Sequence, residues 1–161
     1  MAILAMANLT ESDGLVAQAG LGDTYETAGA TYRYCKSAGA IAQYAMSTLS
    51  NAFVAAEGTT TTSGDKPTAV CIPQFAIAAI AEYFWAPVGP FILREDGVTA
   101  FKVLAAASCV TSVKLYTTAT AGVVDDTATD LVAGLCLTET ITTARAATCV
   151  AVQKLVTNCQ D

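Results

Sequence analysis

Thr31-Tyr-Arg-Tyr-Cys-Lys-Ser37 is the stretch on which the fold class turns. Tyr32, Tyr34 and Lys36 alternate with Arg33 and Cys35, the two-residue period of a strand, and the residue types favour strands. Ser37-Ala-Gly-Ala-Ile41 breaks this strand, and residues 41–54 then mix apolar side chains with Ser and Thr in an order that fits helix or strand. Glu57-Gly-Thr-Thr-Thr-Thr-Ser-Gly-Asp-Lys-Pro67 is polar throughout, with turn residues at both ends, and reads as a long loop. Thr68-Ala-Val-Cys-Ile72 is a short strand stopped by Pro73. The Ala-rich residues 74–81 fit a helix by propensity. Tyr83-Phe-Trp-Ala-Pro-Val-Gly-Pro-Phe-Ile-Leu93 gathers aromatics around Pro87 and Pro90, which suits an edge strand or a corner.

Further strands are expected over 98–104, 112–118, 131–138 and 148–156, with turns at Glu95-Asp-Gly97, Ala119-Thr-Ala-Gly122 and Asp125-Asp126. Six to eight short strands, each followed within 8 to 15 residues by a turn, predict an all-β fold: a small β-barrel or sandwich with at most one short helix. Residues 1–22 form an extended N-terminal arm, because glycines at 14, 20 and 22 interrupt any long helix, and 23–161 form a single β-rich domain. The arm has two readings, a strap laid on a partner or an edge strand packed on its own domain.

The chain has 161 residues, enough to bury roughly 70% of its unfolded surface in one core. Only 14% of the residues are charged, against about 25% in ordinary domains, while Ala and Thr make up about a third. Either Thr hydroxyls wet the outer face, or surface is covered by neighbours in an assembly and needs no charge. Eight Lys plus Arg against fourteen Asp plus Glu cannot build a basic stripe, so nucleic acid is not an expected partner. Histidine is absent, which excludes Ser-His-Asp and Cys-His catalysis and every His-containing metal site.

Nothing at Met1-Ala-Ile-Leu-Ala-Met-Ala-Asn8 resembles an export signal, and residues 37–56 are too polar for a membrane span. The cysteines at 35, 71, 109, 136, 149 and 159 have no metal-ligand spacing. They read as buried free thiols, with Cys149–Cys159 as an open disulfide option in an oxidising medium. No catalytic, metal-binding or cofactor-binding residue is assigned. Asp125, Asp126 and Asp130 lack the spacing of a calcium loop and read as a turn. Ser112 and Lys114 are too thin a pattern for a Ser-Lys dyad, and Gly20-Leu-Gly22 lacks the third glycine of a dinucleotide loop.

Three stretches together carry a resemblance: Tyr32-Arg-Tyr-Cys-Lys-Ser-Ala-Gly-Ala-Ile-Ala42, Pro67-Thr-Ala-Val-Cys-Ile-Pro-Gln-Phe-Ala-Ile-Ala-Ala79 and Glu82-Tyr-Phe-Trp-Ala-Pro-Val-Gly-Pro90. With Leu115-Tyr116, Ala121-Gly-Val-Val-Asp125 and Val132-Ala-Gly134, they resemble the decoration, or cement, proteins of tailed-bacteriophage heads over about residues 23–138. That resemblance implies a β-barrel subunit, not an enzyme and without cofactor, that binds the exterior of an icosahedral capsid. It would bridge major capsid subunits as a homo-oligomer, trimer first and dimer second, after synthesis in the host cytoplasm. A tail-tube or fibre-associated subunit is the alternative within the virion, and a small β-barrel hydrolase or binding module the alternative outside it. On this reading Ile3, Leu4, Met6 and Leu9 of the arm are candidate capsid contacts. Tyr32, Tyr34, Tyr83, Phe84 and Trp85 are candidates for either the core or an oligomer contact.

Overall fold

The computed structural model describes residues 9–27, 30–60, 70–88, 101–127, 130–132 and 135–151. Twelve strands are present among them: β1 (Thr24–Thr27), β2 (Ala30–Ser37), β3 (Ser47–Leu49), β4 (Val54–Glu57), β5 (Val70–Cys71), β6 (Tyr83–Val88), β7 (Phe101–Ala105), β8 (Leu115–Thr117), β9 (Val124–Asp125), β10 (Leu131–Val132), β11 (Leu135–Leu137) and β12 (Arg145–Ala151). The fold is all-β, with no helix among the described residues. Strands β2, β4, β3, β5 and β6 close into a five-stranded barrel, because β6 pairs back onto β2. Strand β1 adds to β2, and the remaining strands form a second sheet in the order β10-β8-β9-β7-β12-β11.

Alternation along β2 and β6 feeds two cores. Cys35, Phe84, Ala86 and Val88 turn into the barrel, where they meet Ile41, Leu49 and Ile77. Tyr32, Tyr34 and Trp85 point out of it and pack with Phe101, Val103, Leu115 and Val124 of the second sheet. A strand with one residue face in each core is apolar almost throughout, and five of the six β6 residues are buried.

The sequence suggests an edge strand or corner over residues 83–93; residues 89–93 lie outside the described residues, and β6 is a strand of the closed barrel that pairs with β2 along its whole length and with β5 at Val88. Tyr83 to Val88 run opposite Lys36 to Thr31 without a break. Pro87 fits because a residue's N and C=O point to the same side of a strand. Its carbonyl accepts from Ile72 N–H at 3.2 Å, so its donorless nitrogen faces β5, where the ladder is the single pair Cys71–Val88.

Residues 74–81, helical by propensity, instead cross the barrel as irregular chain, with Ile77 bridged to Ile41 by two backbone hydrogen bonds of 2.8 and 3.0 Å. Burial of Ile77 and the positive φ of Ala81 (68°) outweigh the helix preference of alanine. Residues 41–54 resolve likewise into turns and β3, with β4 starting at Val54. The long loop is described only to residue 60, and the turn at 95–97 lies outside the described residues.

Backbone and side-chain bonds rivet the second sheet to the barrel. Leu104 N–H donates to Tyr44 O at 2.9 Å, and the Gln74 amide copies a strand by accepting from Lys102 N–H (3.0 Å) and donating to Lys102 O (3.1 Å). At a second seam Met46 N–H donates to Gly122 O and Gly122 N–H donates to Gly58 O. Gly122 has φ 73°, and a Cβ there would stand 2.5 Å from the Ala45 Cβ. Cys35, Cys71, Cys109 and Cys136 are free and buried, whereas Cys159 lies outside the described residues.

On β12 and the preceding turn, Glu139 accepts from Thr148 N–H (2.8 Å) and pairs with Arg145 Nη2 at 2.6 Å. The Thr148 peptide, then the Arg145 guanidinium, holds its carboxyl down at about 2. A carboxylate held low stabilises the fold above its ordinary pKa and stops doing so as it protonates. Thermal midpoints of the wild type should therefore fall more steeply between pH 4.5 and 2 than those of Glu139→Gln, and the two should converge at the acid end.

In urea melts, Gly122→Ala should lower stability by about 1–3 kcal/mol through its strained φ and the close approach. Gly39→Ala, where a Cβ meets nothing within 4 Å, should stay within about 0.5 kcal/mol of wild type.

Candidate functional site

Leu9 and the chain that follows it lie against their own barrel rather than reaching away from it. Leu9 and Ala19 pack on the outer core, and Asp13–Gly14 pair with the start of β6: Asp13 N–H donates to Tyr83 O and Tyr83 N–H to Gly14 O, both at 2.8 Å. Gly14 adopts φ 71°, a left-handed turn that glycine takes without strain. Gly22 and Asp23 lead into β1, with Gly22 N–H donating to Tyr34 O and Tyr34 N–H to Asp23 O. Gly20 and Asp23 close a turn between these two attachments, Gly20 N–H donating to Asp23 Oδ2 at 2.8 Å.

Tyr34 pins the segment. Its ring stacks on Tyr83 (centroids 5.9 Å apart, planes 16°) and tilts against Trp85 at 4.9 Å. Its hydroxyl donates to Asp13 Oδ2 at 2.8 Å and accepts from Gln18 N–H at 2.9 Å. Burial, reinforced by the Asp13 carboxylate, pushes this phenol up to about 12, so it remains a donor throughout the neutral range.

Three large apolar side chains stand out around this attachment. Leu15 and Val16, one and two residues past the Gly14 bridge, are 69% and 68% exposed, and Ile80, three residues before Tyr83 on the opposite side of that bridge, is 67% exposed. Single exposed apolar residues are ordinary; three flanking one bridge make a candidate docking surface.

Of the residues nominated by sequence, Ile3, Leu4 and Met6 lie outside the described residues, and Leu9 is half-buried on the chain's own core. Tyr34 and Phe84 have no exposed surface, Tyr32 and Trp85 almost none, and Tyr83 is half-buried beneath the segment. Tyr32, Tyr34, Phe84 and Trp85 therefore pack in the chain's own cores, and Tyr83 packs half-buried against one of them. Leu15, Val16 and Ile80 carry no sequence signal of their own, because exposure follows from the Gly14–Tyr83 bridge, a long-range contact.

The acid pair at 125–126 acquires a different neighbour from the one its sequence suggests. Cys109, Asp125 and Asp126 bring one possible ligand atom each within 4.8 Å of one another, and Asp130 is not in that group. Ser112, with φ 60°, sits in a turn ahead of β8, so it does not share a strand face with Lys114. No helix among the described residues is long and apolar enough to cross a membrane. Comparison with known family models, curated proteins and solved structures finds no match for this chain.

Removing one hydroxyl tests the pin. In Tyr34→Phe the ring packing is kept while Asp13 and Gln18 lose a shared partner, worth about 1–3 kcal/mol locally. Hydrogen exchange should accelerate at residues 13–22 and stay unchanged across the β2–β6 ladder.

Proposed function

We propose that this chain is a structural virion protein that decorates the outside of a tailed-phage capsid and stabilises it by bridging major capsid subunits. The observation that carries the reading is the exposed apolar group Leu15, Val16 and Ile80, in a chain of which only 14% is charged. Each of these side chains could contribute about 1.5–3 kcal/mol if fully covered by a partner. A ligand that binds the assembled lattice and not the free subunits stabilises the lattice by mass action, and many copies multiply a modest contact.

The closed barrel supports the same role. Its five strands leave no free edge within the ring, so unintended edge-to-edge pairing is limited to β1 and to the outer strands β10 and β11 of the second sheet. The chain is read as a homo-oligomer on the capsid, trimer ahead of dimer, acting by binding and not by catalysis, and made in the host cytoplasm before joining the particle.

Purified chain should cosediment with mature heads of the virus that encodes it. The double substitution Leu15→Asp, Val16→Asp replaces exposed side chains and should keep the wild-type thermal midpoint while losing most head binding. Wild-type chain that fails to bind mature heads would overturn the reading, and full binding by the folded double variant would remove this surface from it.

A further inference from the structure

A thiol from one segment and two carboxylates from another converge where the second sheet ends. Strand β7 pairs in parallel with β9 at Ala105 and Val124, and Ala106 N–H donates to Val124 O at 2.9 Å. The chain then turns through Ser108, at φ 70°, and brings Cys109 to the end of β9, where Asp125 and Asp126 follow Val124. Cys109 Sγ lies 3.5 Å from Asp125 Oδ1, and a ligand atom from each of the three residues lies within 4.8 Å of the other two.

Two features separate this group from an ordinary acidic turn. The first is the sulfur itself. Cys109 is wholly buried, yet the polar groups it meets among the described residues are the Asp125 carboxylate and the Asp126 peptide N–H. A cysteine that only fills volume has no need of acidic company.

The second feature is that the carboxylates are held in place by the backbone. Asp126 Oδ2 accepts Val110 N–H at 2.8 Å, and Asp125 Oδ1 accepts Asp126 N–H at 2.7 Å, which leaves each carboxylate a second oxygen. Ile141 N–H donates to Cys109 O at 3.0 Å and fixes the loop from its other side. Ligands fixed in advance lose little freedom when an ion arrives.

We propose that Cys109, Asp125 and Asp126 form a binding site for a borderline-soft divalent transition-metal cation, with Zn2+ the best fit. One thiolate and two carboxylates supply three ligands of a tetrahedral site, and a solvent molecule supplies the fourth. Hard cations such as Ca2+ and Mg2+ take oxygen ligands and reject sulfur, so the thiol sets the selectivity. Coordination takes the sulfur as thiolate, and its proton passes to solvent. The ion would tie the β7–β8 loop to the end of β9, adding stability to the second sheet independently of any capsid contact.

The test uses the full chain, reduced and freed of metal, titrated with Zn2+, Co2+, Ca2+ and Mg2+. One equivalent of Zn2+ should bind and raise the thermal midpoint, Co2+ should give a sulfur-to-cobalt charge-transfer band, and Ca2+ and Mg2+ should do neither. Cys109→Ser should abolish the band and weaken Zn2+ binding about tenfold or more, and Asp125→Asn should weaken it while keeping the band. Cys136→Ser should leave both intact. Absence of stoichiometric Zn2+ binding, a band that survives Cys109→Ser, or an equal response to Ca2+ would overturn the proposal.

Discussion

Six consecutive residue pairs between β2 and β6, from Thr31 opposite Val88 to Lys36 opposite Tyr83, are the constraint on which the rest of the molecule depends. They close the barrel and, by the alternation of side chains along a strand, commit Cys35, Phe84 and Ala86 to its interior and Tyr32, Tyr34 and Trp85 to its outer face. A slip of one residue would exchange those sets, placing two tyrosines and a tryptophan where the barrel holds Cys35, Phe84 and Ala86. Register is therefore fixed by volume as much as by hydrogen bonds. The outer aromatics then supply what the second sheet packs on and what the N-terminal segment is pinned to.

How much of this was legible in the sequence follows from which contacts are local. Tyr32 to Lys36 announce a strand because their alternation is complete within seven residues. The Ala-rich residues 74–81 mislead because propensity is weak beside the burial of Ile77 against Ile41, thirty-six positions away in the chain. Pro87 suggests an edge because a missing donor is a local fact, whereas the side on which that donor would have been needed is a property of the sheet. In the sequence, Tyr32, Tyr34, Phe84 and Trp85 are open between core and contact, because their burial comes from distant chain: the second sheet over Tyr32, Tyr34 and Trp85, and the barrel interior around Phe84.

The surface and the acid pair teach the same lesson. Leu15 and Val16 look like any apolar pair in a glycine-rich segment until the Gly14–Tyr83 bridge holds them at the surface. Asp125 and Asp126 look like a turn until β7 delivers Cys109 from sixteen residues upstream. Neither has a spacing rule, since each depends on strands that meet only after the two sheets assemble. The N-terminal segment shows how a single side chain can join the two levels: Tyr34 contributes its ring to the core and its hydroxyl to Asp13 and Gln18.

A low charge content, a barrel without free edges in its ring and an exposed apolar group beside a pinned segment all agree with a subunit completed by neighbours. Counting copies of the chain in purified virus particles by quantitative mass spectrometry tests that account most directly. The account predicts a number that scales with the major capsid subunit. A count matching a tail component, or absence of the chain from the particle, would contradict it.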